Sequence, residues 1–328
     1  MKRLQKISRF FTVALLLAFV LQSCIKDDLS DCMKEKRVYF SYKFSYKPAG
    51  KAATDVIKEG IDLADVKRMD LYVFDENGLF VQKVTDESPA MSLDYYMTIP
   101  GLKSGKYKFV AWGSLQNQYA VSPEELIPGK TSMGELQVSL NRVKADKRVD
   151  ESLAPLFYAS HEEETLVVNA MADQNFQLDI IQDTYTINVK VVGLTEEIRN
   201  NNTFRLEISD DNDKYTFGNE FVPSGLFTYT SLFAKEADTL SARLTVMRLA
   251  ENREPILYVT DTNQPEECLI KSNLVELLLA LRTVYGLTID FRYQHEFTIE
   301  YVLDSSKMLV AVNINGWELT LEDTDLET

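Results

Sequence analysis

Leu71-Tyr72-Val73-Phe74, followed by Asp75-Glu76-Asn77-Gly78 and then Leu79-Phe80-Val81, decides the fold class of this chain. Two short apolar runs flank an Asn-Gly pair, and Asn-Gly tolerates the positive φ that a tight hairpin turn demands. Asn315-Gly316 repeats the signal near the C-terminus. Elsewhere apolar and polar residues alternate with period two: Val38, Phe40, Tyr42, Phe44 and Tyr46 on one side, and Tyr185, Ile187, Val189 and Val191 on another. The same holds for Phe204, Leu206 and Ile208, and for Leu240, Ala242, Leu244 and Val246. Each run presents one apolar face, as a half-buried strand does. Many short strands spaced about ten residues apart predict an all-β chain of antiparallel sandwiches.

Helices are the exceptions. Asn273 to Arg282 places Leu274, Leu277, Leu278 and Leu281 on one helical stripe, with Asn273 and Glu276 resembling a capping box. A stripe of this length reads as packing on the chain's own sheet, and Ser122-Pro123-Glu124-Glu125 reads as the start of a second, shorter helix. The 328 residues suggest two domains. The polar break Gln182-Asp183-Thr184 sets a boundary there, giving sandwiches over residues 36–182 and 183–328.

The N-terminus carries an export signal. Lys2, Arg3, Lys6 and Arg9 precede an apolar stretch from Phe10 to Leu21 that is too short to remain as a spanning helix, and Leu21-Gln22-Ser23-Cys24 follows. The small Ser23 and the apolar Leu21 suit cleavage before a diacylated Cys24, although Gln22 departs from the usual lipobox. Residues 1–23 are thus expected to be a lipoprotein signal peptide and 24–35 a lipidated tether, with several acyl chains on Cys24 holding the protein durably to a membrane. An uncleaved anchor or a plain secretory signal is the competing reading.

Removing residues 1–23 takes four of the 35 basic side chains, leaving 31 against 50 acidic ones, a net charge of −19. A surface this anionic repels phosphate backbones, which excludes nucleic acid as a partner. With Cys24 lipidated, Cys32 and Cys268 remain as a candidate disulfide, the alternative being two separate thiols. No Cys/His spacing suits zinc or redox chemistry.

Catalytic patterns are sparse. His161 and His295 lack any nucleophile motif beside them and read as strand-end or loop histidines. There is no P-loop, no G-x-G-x-x-G and no H-E-x-x-H, and the sequence implies neither cofactor nor metal. Ser209-Asp210-Asp211-Asn212-Asp213 invites a calcium reading, but an EF-hand loop from Asp211 would need glycine and glutamate where Thr216 and Val222 stand. A solvated turn between strands is the expectation.

Three strings carry a family resemblance: Cys24-Ile25-Lys26-Asp27-Asp28-Leu29-Ser30-Asp31-Cys32, Gly105-Lys106-Tyr107-Lys108-Phe109-Val110-Ala111-Trp112-Gly113, and Val312-Asn313-Ile314-Asn315-Gly316-Trp317. In order and spacing they resemble Bacteroidetes fimbrial anchor lipoproteins of the fimbrillin-associated, FimB-like family, the anchors of type V pili, over essentially the whole chain. The resemblance implies two tandem transthyretin-like antiparallel β-sandwich domains. It implies no enzyme, and a lipid-anchored protein of the outer membrane that docks a fimbrial shaft subunit. Lys26, Asp27 and Asp28 are similar to the tag that sends such lipoproteins to the cell surface. Because shaft proteins polymerise by strand exchange, the C-terminal segment becomes a candidate donor strand with Trp317, Leu319 and Leu321 as inserted side chains. The competing reading makes it the last strand of its own domain. A different class, a surface glycan-binding lipoprotein of a polysaccharide-uptake system, is also built from acyl-anchored sandwiches; here most aromatics alternate as core, Phe40, Phe44 and Phe109 among them.

Overall fold

The computed structural model describes residues 34–41, 63–92, 94–115, 118–141, 147–161, 165–266 and 268–320. These are mostly strand, so the chain is all-β. The first half supplies β1 (Lys36–Ser41), β2 (Met69–Asp75), β3 (Phe80–Asp86), β4 (Tyr96–Thr98), β5 (Gly105–Gly113), β6 (Tyr119–Ser122), β7 (Gln137–Leu140), β8 (Arg148–Val149), β9 (Phe157–Ser160), β10 (Leu166–Val168) and β11 (Gln174–Gln182). The hairpin that decided the fold class joins β2 to β3. Gly78 takes φ +75°, and Asp75 Oδ1 accepts from the N–H groups of Asn77 and Leu79, each at 2.9 Å. A short acidic side chain thereby closes the turn on its own backbone. The strand expected from Val38 to Tyr46 is present as β1, and its part beyond Ser41 lies outside the described residues.

Eight of these strands form one sheet in the order β3-β2-β5-β9-β11-β1-β4, with β10 added to β5. The sheet rolls so that its two ends approach. Tyr95 donates its hydroxyl to Asp86 at 3.0 Å, and Gln82 donates to the carbonyl of Pro100 at 3.0 Å. The roll encloses Val38, Phe40, Leu71, Val73, Phe109, Leu178 and their neighbours. The opposite face of β2 and β5 is also covered, which is why β2 is buried at six successive positions instead of alternating.

The second half comprises β12 (Thr184–Val192), α1 (Glu196–Asn201), β13 (Phe204–Asp210), β14 (Lys214–Thr216), β15 (Phe227–Leu232), β16 (Ala234–Glu236), β17 (Thr239–Met247), β18 (Ile256–Asp261), β19 (Cys268–Asn273), α2 (Leu274–Tyr285), β20 (Glu296–Leu303), β21 (Leu309–Ile314) and β22 (Trp317–Thr320). A six-stranded sheet, β16-β17-β12-β20-β21-β22, shares one core with a five-stranded sheet, β19-β18-β13-β15-β8. The expected leucine helix is α2. Asn273 Oδ1 accepts from the N–H groups of Val275 and Glu276, Leu274, Leu277, Leu278 and Leu281 are buried, and Gly286 ends the helix at φ +66°. The helix packs against β19 and β22, so its stripe closes the core where one edge of each sheet would expose it.

Three features depart from expectation. No helix begins at Ser122. The far end of the loop after β6 is tied to β3, with Gly129 donating to the Phe80 carbonyl at 2.8 Å and Phe80 to the Thr131 carbonyl at 2.8 Å, and its turn bonds lie later, from Lys130 and Thr131 to the Ile127 carbonyl. The sheets are not purely antiparallel, because β1 runs parallel to β11, β12 to β20 and β8 to β15. Parallel partners are joined by long crossovers, so no turn signal in the sequence announces them. The short helix α1 was not anticipated either; Thr195 caps it, accepting from Ile198 N–H at 3.3 Å.

Sheet membership changes at Asp183, between β11 and β12. Strands nonetheless cross that point in space. β7 pairs with β14, with Tyr215 opposite Val138, and β8 pairs with β15.

Candidate attachment and docking elements

Cys24, Lys26, Asp27, Asp28 and Cys32, the residues of the expected attachment, lie outside the described residues, as does Leu321. Lys34 is the first described residue, and its N–H donates to the carbonyl of Ala170 at 2.9 Å. Two residues later the ammonium of Lys36, only 1% exposed, donates to the carbonyls of Lys34 at 2.7 Å and Ala172 at 2.5 Å. Sequence reading passed over this lysine, which starts an apolar strand face. Its place on the inward phase of the alternation, ahead of Val38 and Phe40, was the available signal.

Cys268 begins β19, an edge strand, and is a free, exposed thiol. Its Sγ lies 2.8 Å from the carbonyl of Ile270, and partial burial raises the thiol above its usual range.

The C-terminal segment is built into its own sheet. β22 pairs with β21 from Ala311↔Thr320 to Ile314↔Trp317. Asn315 at φ +49° and Gly316 at φ +81° make the intervening turn. Leu319 is fully buried in the second core, while the Trp317 ring packs on Tyr285 of α2 with centroids 4.8 Å apart. The outer side of β22 has no strand against it among the described residues.

Both histidines flank strands, as expected. His161 follows β9, and its Nε2 accepts from Phe109 N–H at 3.3 Å. His295 precedes β20, packed against the Tyr185 ring at 5.2 Å, and burial pushes its imidazole down to about 4. The acidic run after β13 is not a solvated turn. Asp210, Asn212 and Asp213 are buried, and Arg253 bonds both Asp210, at 2.9 Å, and Asp211. Asn212 donates to the Tyr215 hydroxyl and to the Arg248 carbonyl. Arginines far away in sequence collect these side chains, which local spacing could not reveal. Among the described residues, no cluster of three or more histidine, cysteine or acidic groups is arranged to hold a metal ion.

The most heavily buried polar group lies at the junction. Asp183 is fully buried; its Oδ1 accepts from Arg248 at 3.2 Å and from Asn219 at 3.2 Å. Burial raises its carboxyl to about 6 despite Arg248 beside it. The guanidinium lies over the Phe221 and Tyr215 rings at 4.6 and 5.1 Å. Beside it Phe217, just beyond β14, enters an aromatic nest of the first half, 4.8 Å from Tyr72, 5.7 Å from Phe74 and 6.2 Å from Trp112. Sequence reading missed this junction. Its traces were Asp183 between two strands and Arg248 within the apolar run Val246-Met247-Arg248-Leu249.

Comparison with known proteins accords with this architecture. A solved Bacteroides thetaiotaomicron chain, described provisionally as a polysaccharide-binding protein, superposes with TM-score 0.71 at 22% identity, covering 89% of this chain and 100% of that one. The crystal structure of the fimbrial anchor protein Mfa2 from Porphyromonas gingivalis superposes with TM-score 0.65 at 21% identity, covering 87% and 99%. At these identities the likeness speaks for the fold alone. In sequence, the minor fimbrium anchoring subunit Mfa2 of Porphyromonas gingivalis is 25% identical over 264 residues, 77% of this chain and 78% of that protein. The model of the fimbrillin-A associated anchor proteins Mfa1 and Mfa2 matches residues 29–323, nearly the whole chain, and the chain belongs to that family of structural fimbrial anchors.

Proposed function

We propose that this protein holds the base of a fimbrium to the outer membrane, through acyl chains on Cys24, by docking the first shaft subunit. The observation that carries the reading is the match to an anchor family over residues 29–323, directly behind the cysteine that ends a lipoprotein signal. Residues 24–35 are then the lipidated tether, and Lys26, Asp27 and Asp28 direct it to the cell surface. The change of sheet at Asp183 supports a division into two transthyretin-like sandwiches, 36–182 and 183–328. The cross-pairing of β7 with β14 makes them a coupled pair.

Coupling to the shaft is assigned to the C-terminal segment. Trp317 and Leu319 are engaged in the chain's own core, so the segment offers a partner the outer edge of β22 together with Leu321 and the residues after it. An added strand would gain main-chain hydrogen bonds there and seat alternate side chains beside Tyr285.

The rival reading, a surface glycan-binding lipoprotein, draws on the provisional description of the Bacteroides thetaiotaomicron structure. Stacking on sugars needs free aromatic faces. The most exposed large aromatics described, Tyr96 and Tyr285, pack on Tyr39 and Trp317 respectively. Cys24→Ala in cells separates the two readings. An anchor sheds fimbriae into the medium, whereas a glycan binder leaves fimbriae in place and slows growth on a polysaccharide.

A further inference from the structure

We infer that β1 and β11 form a mechanical clamp that resists tension between the N-terminal tether and the second half of the chain. The inference rests on the anchor reading for its biological load, but its physics is fixed by the sheet topology. β1 is the strand nearest the tether, and β11 is the strand that hands the chain to the second half. They run parallel over six residue pairs, from Lys36↔Gln174 to Ser41↔Asp179. A pull on the tether drags β1 backward from its N-terminal end. The opposing pull, arriving through Asp183, drags β11 forward from its C-terminal end. The two strands are therefore drawn past each other along their axes, and the bonds of the whole ladder must yield together. In an antiparallel hairpin pulled at its open end, the same kind of bonds yield one pair at a time.

Three further contacts secure β1 against sliding. On its other side it pairs with β4 at Arg37↔Thr98, Val38↔Met97 and Tyr39↔Tyr96. Val38 and Phe40 are buried in the first core, so axial movement must drag both through close-packed neighbours. At the loaded end the buried Lys36 ammonium ties the carbonyl of Lys34 to that of Ala172, directly before β11.

The arrangement recurs in series. β12, entered from β11, runs parallel to β20 over seven pairs, Thr186↔Glu296 to Val192↔Val302. Each half thus pairs the strand through which tension enters with a parallel strand late in its own sequence. Between the two clamps, the β7–β14 pairing, the β8–β15 pairing and the Arg248–Asp183 contact keep the junction from acting as a hinge.

Single-molecule force measurements on the non-lipidated mature chain test the clamp. Cys24, Cys32 and Cys268 are changed to serine, and handles are attached at the N-terminus and at the C-terminus. A second version keeps the N-terminal handle and moves the other to Met171→Cys, an exposed residue just ahead of β11, so that β1 and β11 are peeled apart from the same end. The expected result is that the step separating β1 from β11 needs a several-fold higher force in the end-to-end geometry than when peeled. Equal forces in the two geometries overturn the clamp, provided that chemical denaturation shows both versions equally stable. An unstable Met171→Cys version is replaced by a handle at Asn169. Because the measurement involves neither lipid nor fimbria, a weak clamp leaves the anchor reading standing, and retained fimbriae in Cys24→Ala cells remove the anchor reading without altering the force result.

Discussion

Arg248 and Asp183 meet at the junction of the two halves, Nη1 to Oδ1 at 3.2 Å, with the carboxylate fully buried and its Oδ2 lacking a hydrogen-bond partner among the described residues. The other guanidinium nitrogen bonds the Asn219 carbonyl at 2.8 Å, so the arginine also fixes the loop that carries Phe217 into the first half. Breaking a buried pair from one side leaves an uncompensated charge, which costs about 3–5 kcal/mol. Arg248→Met should lower unfolding stability by that amount in urea titrations. Adding Asp183→Asn should restore much of the loss, a coupling that a double-mutant cycle reads directly. Additive effects would show that the pair does not act as a unit.

Asp183 and His295 give opposite dependences on pH. The folded carboxyl of Asp183 stands at about 6, above its ordinary 3.8. Folded protein therefore binds more protons than unfolded protein in that window, and its contribution to stability falls as pH rises from 4 to 6. His295 stands at about 4 when folded, below its ordinary 6.5. Folded protein there binds fewer protons, so its contribution rises as pH climbs from 4 to 6.5. Each swing is on the order of 3 kcal/mol, and in wild type the two oppose. Relative to wild type, Asp183→Asn should gain stability as pH rises through 4 to 6, and His295→Phe should lose it. Parallel curves for the two variants in denaturant titrations across pH would refute both assignments.

Phe217 is the tongue by which the second half enters the first. Its ring meets Tyr72 edge-on at 4.8 Å and is fully buried. Phe217→Ala should cost about 3–5 kcal/mol through the cavity and the lost ring contacts. Because those contacts cross the junction, calorimetry should also show one unfolding transition becoming two. A lower but still single transition would mean that the β7–β14 and β8–β15 pairings suffice to couple the halves.

Period-two alternation, Asn-Gly turns and the leucine stripe were legible in the sequence because each is a local pattern with a local physical cause. Met69 to Phe80 shows the strength of such signals: the hairpin stands where Asn77-Gly78 put it. Contacts that depend on residues distant in the chain left no such trace. Lys36 meets Ala172, Arg253 gathers Asp210 and Asp211, and β1 pairs with β11 across some 140 positions. The acidic run at Asp210 to Asp213 looked solvated because its arginine was invisible to spacing. Ser122-Pro123-Glu124-Glu125 had the composition of a helix start, but the chain there runs on as a loop whose far end, at Gly129 and Thr131, bonds to Phe80 of β3.

On the docking proposal, folding and docking divide within the C-terminal segment after Thr320. Leu319 is fully buried, and Leu319→Ala should cost about 2–5 kcal/mol by emptying its site against the core. Removing residues 317–328 would delete β22 and strip Tyr285 of its Trp317 contact, so loss of fimbriae in that deletion would report misfolding as readily as lost docking. Removing only residues 321–328 leaves β22 and its pairing with β21 complete. If the segment couples to the shaft through Leu321 and the residues beyond it, this shorter deletion should release fimbriae into the medium while urea titration finds stability within about 0.5 kcal/mol of wild type. Retained fimbriae with unchanged stability would confine any coupling by this segment to the outer edge of β22, where a proline at Glu318 or Thr320 becomes the discriminating substitution because it removes a backbone donor without touching Leu319.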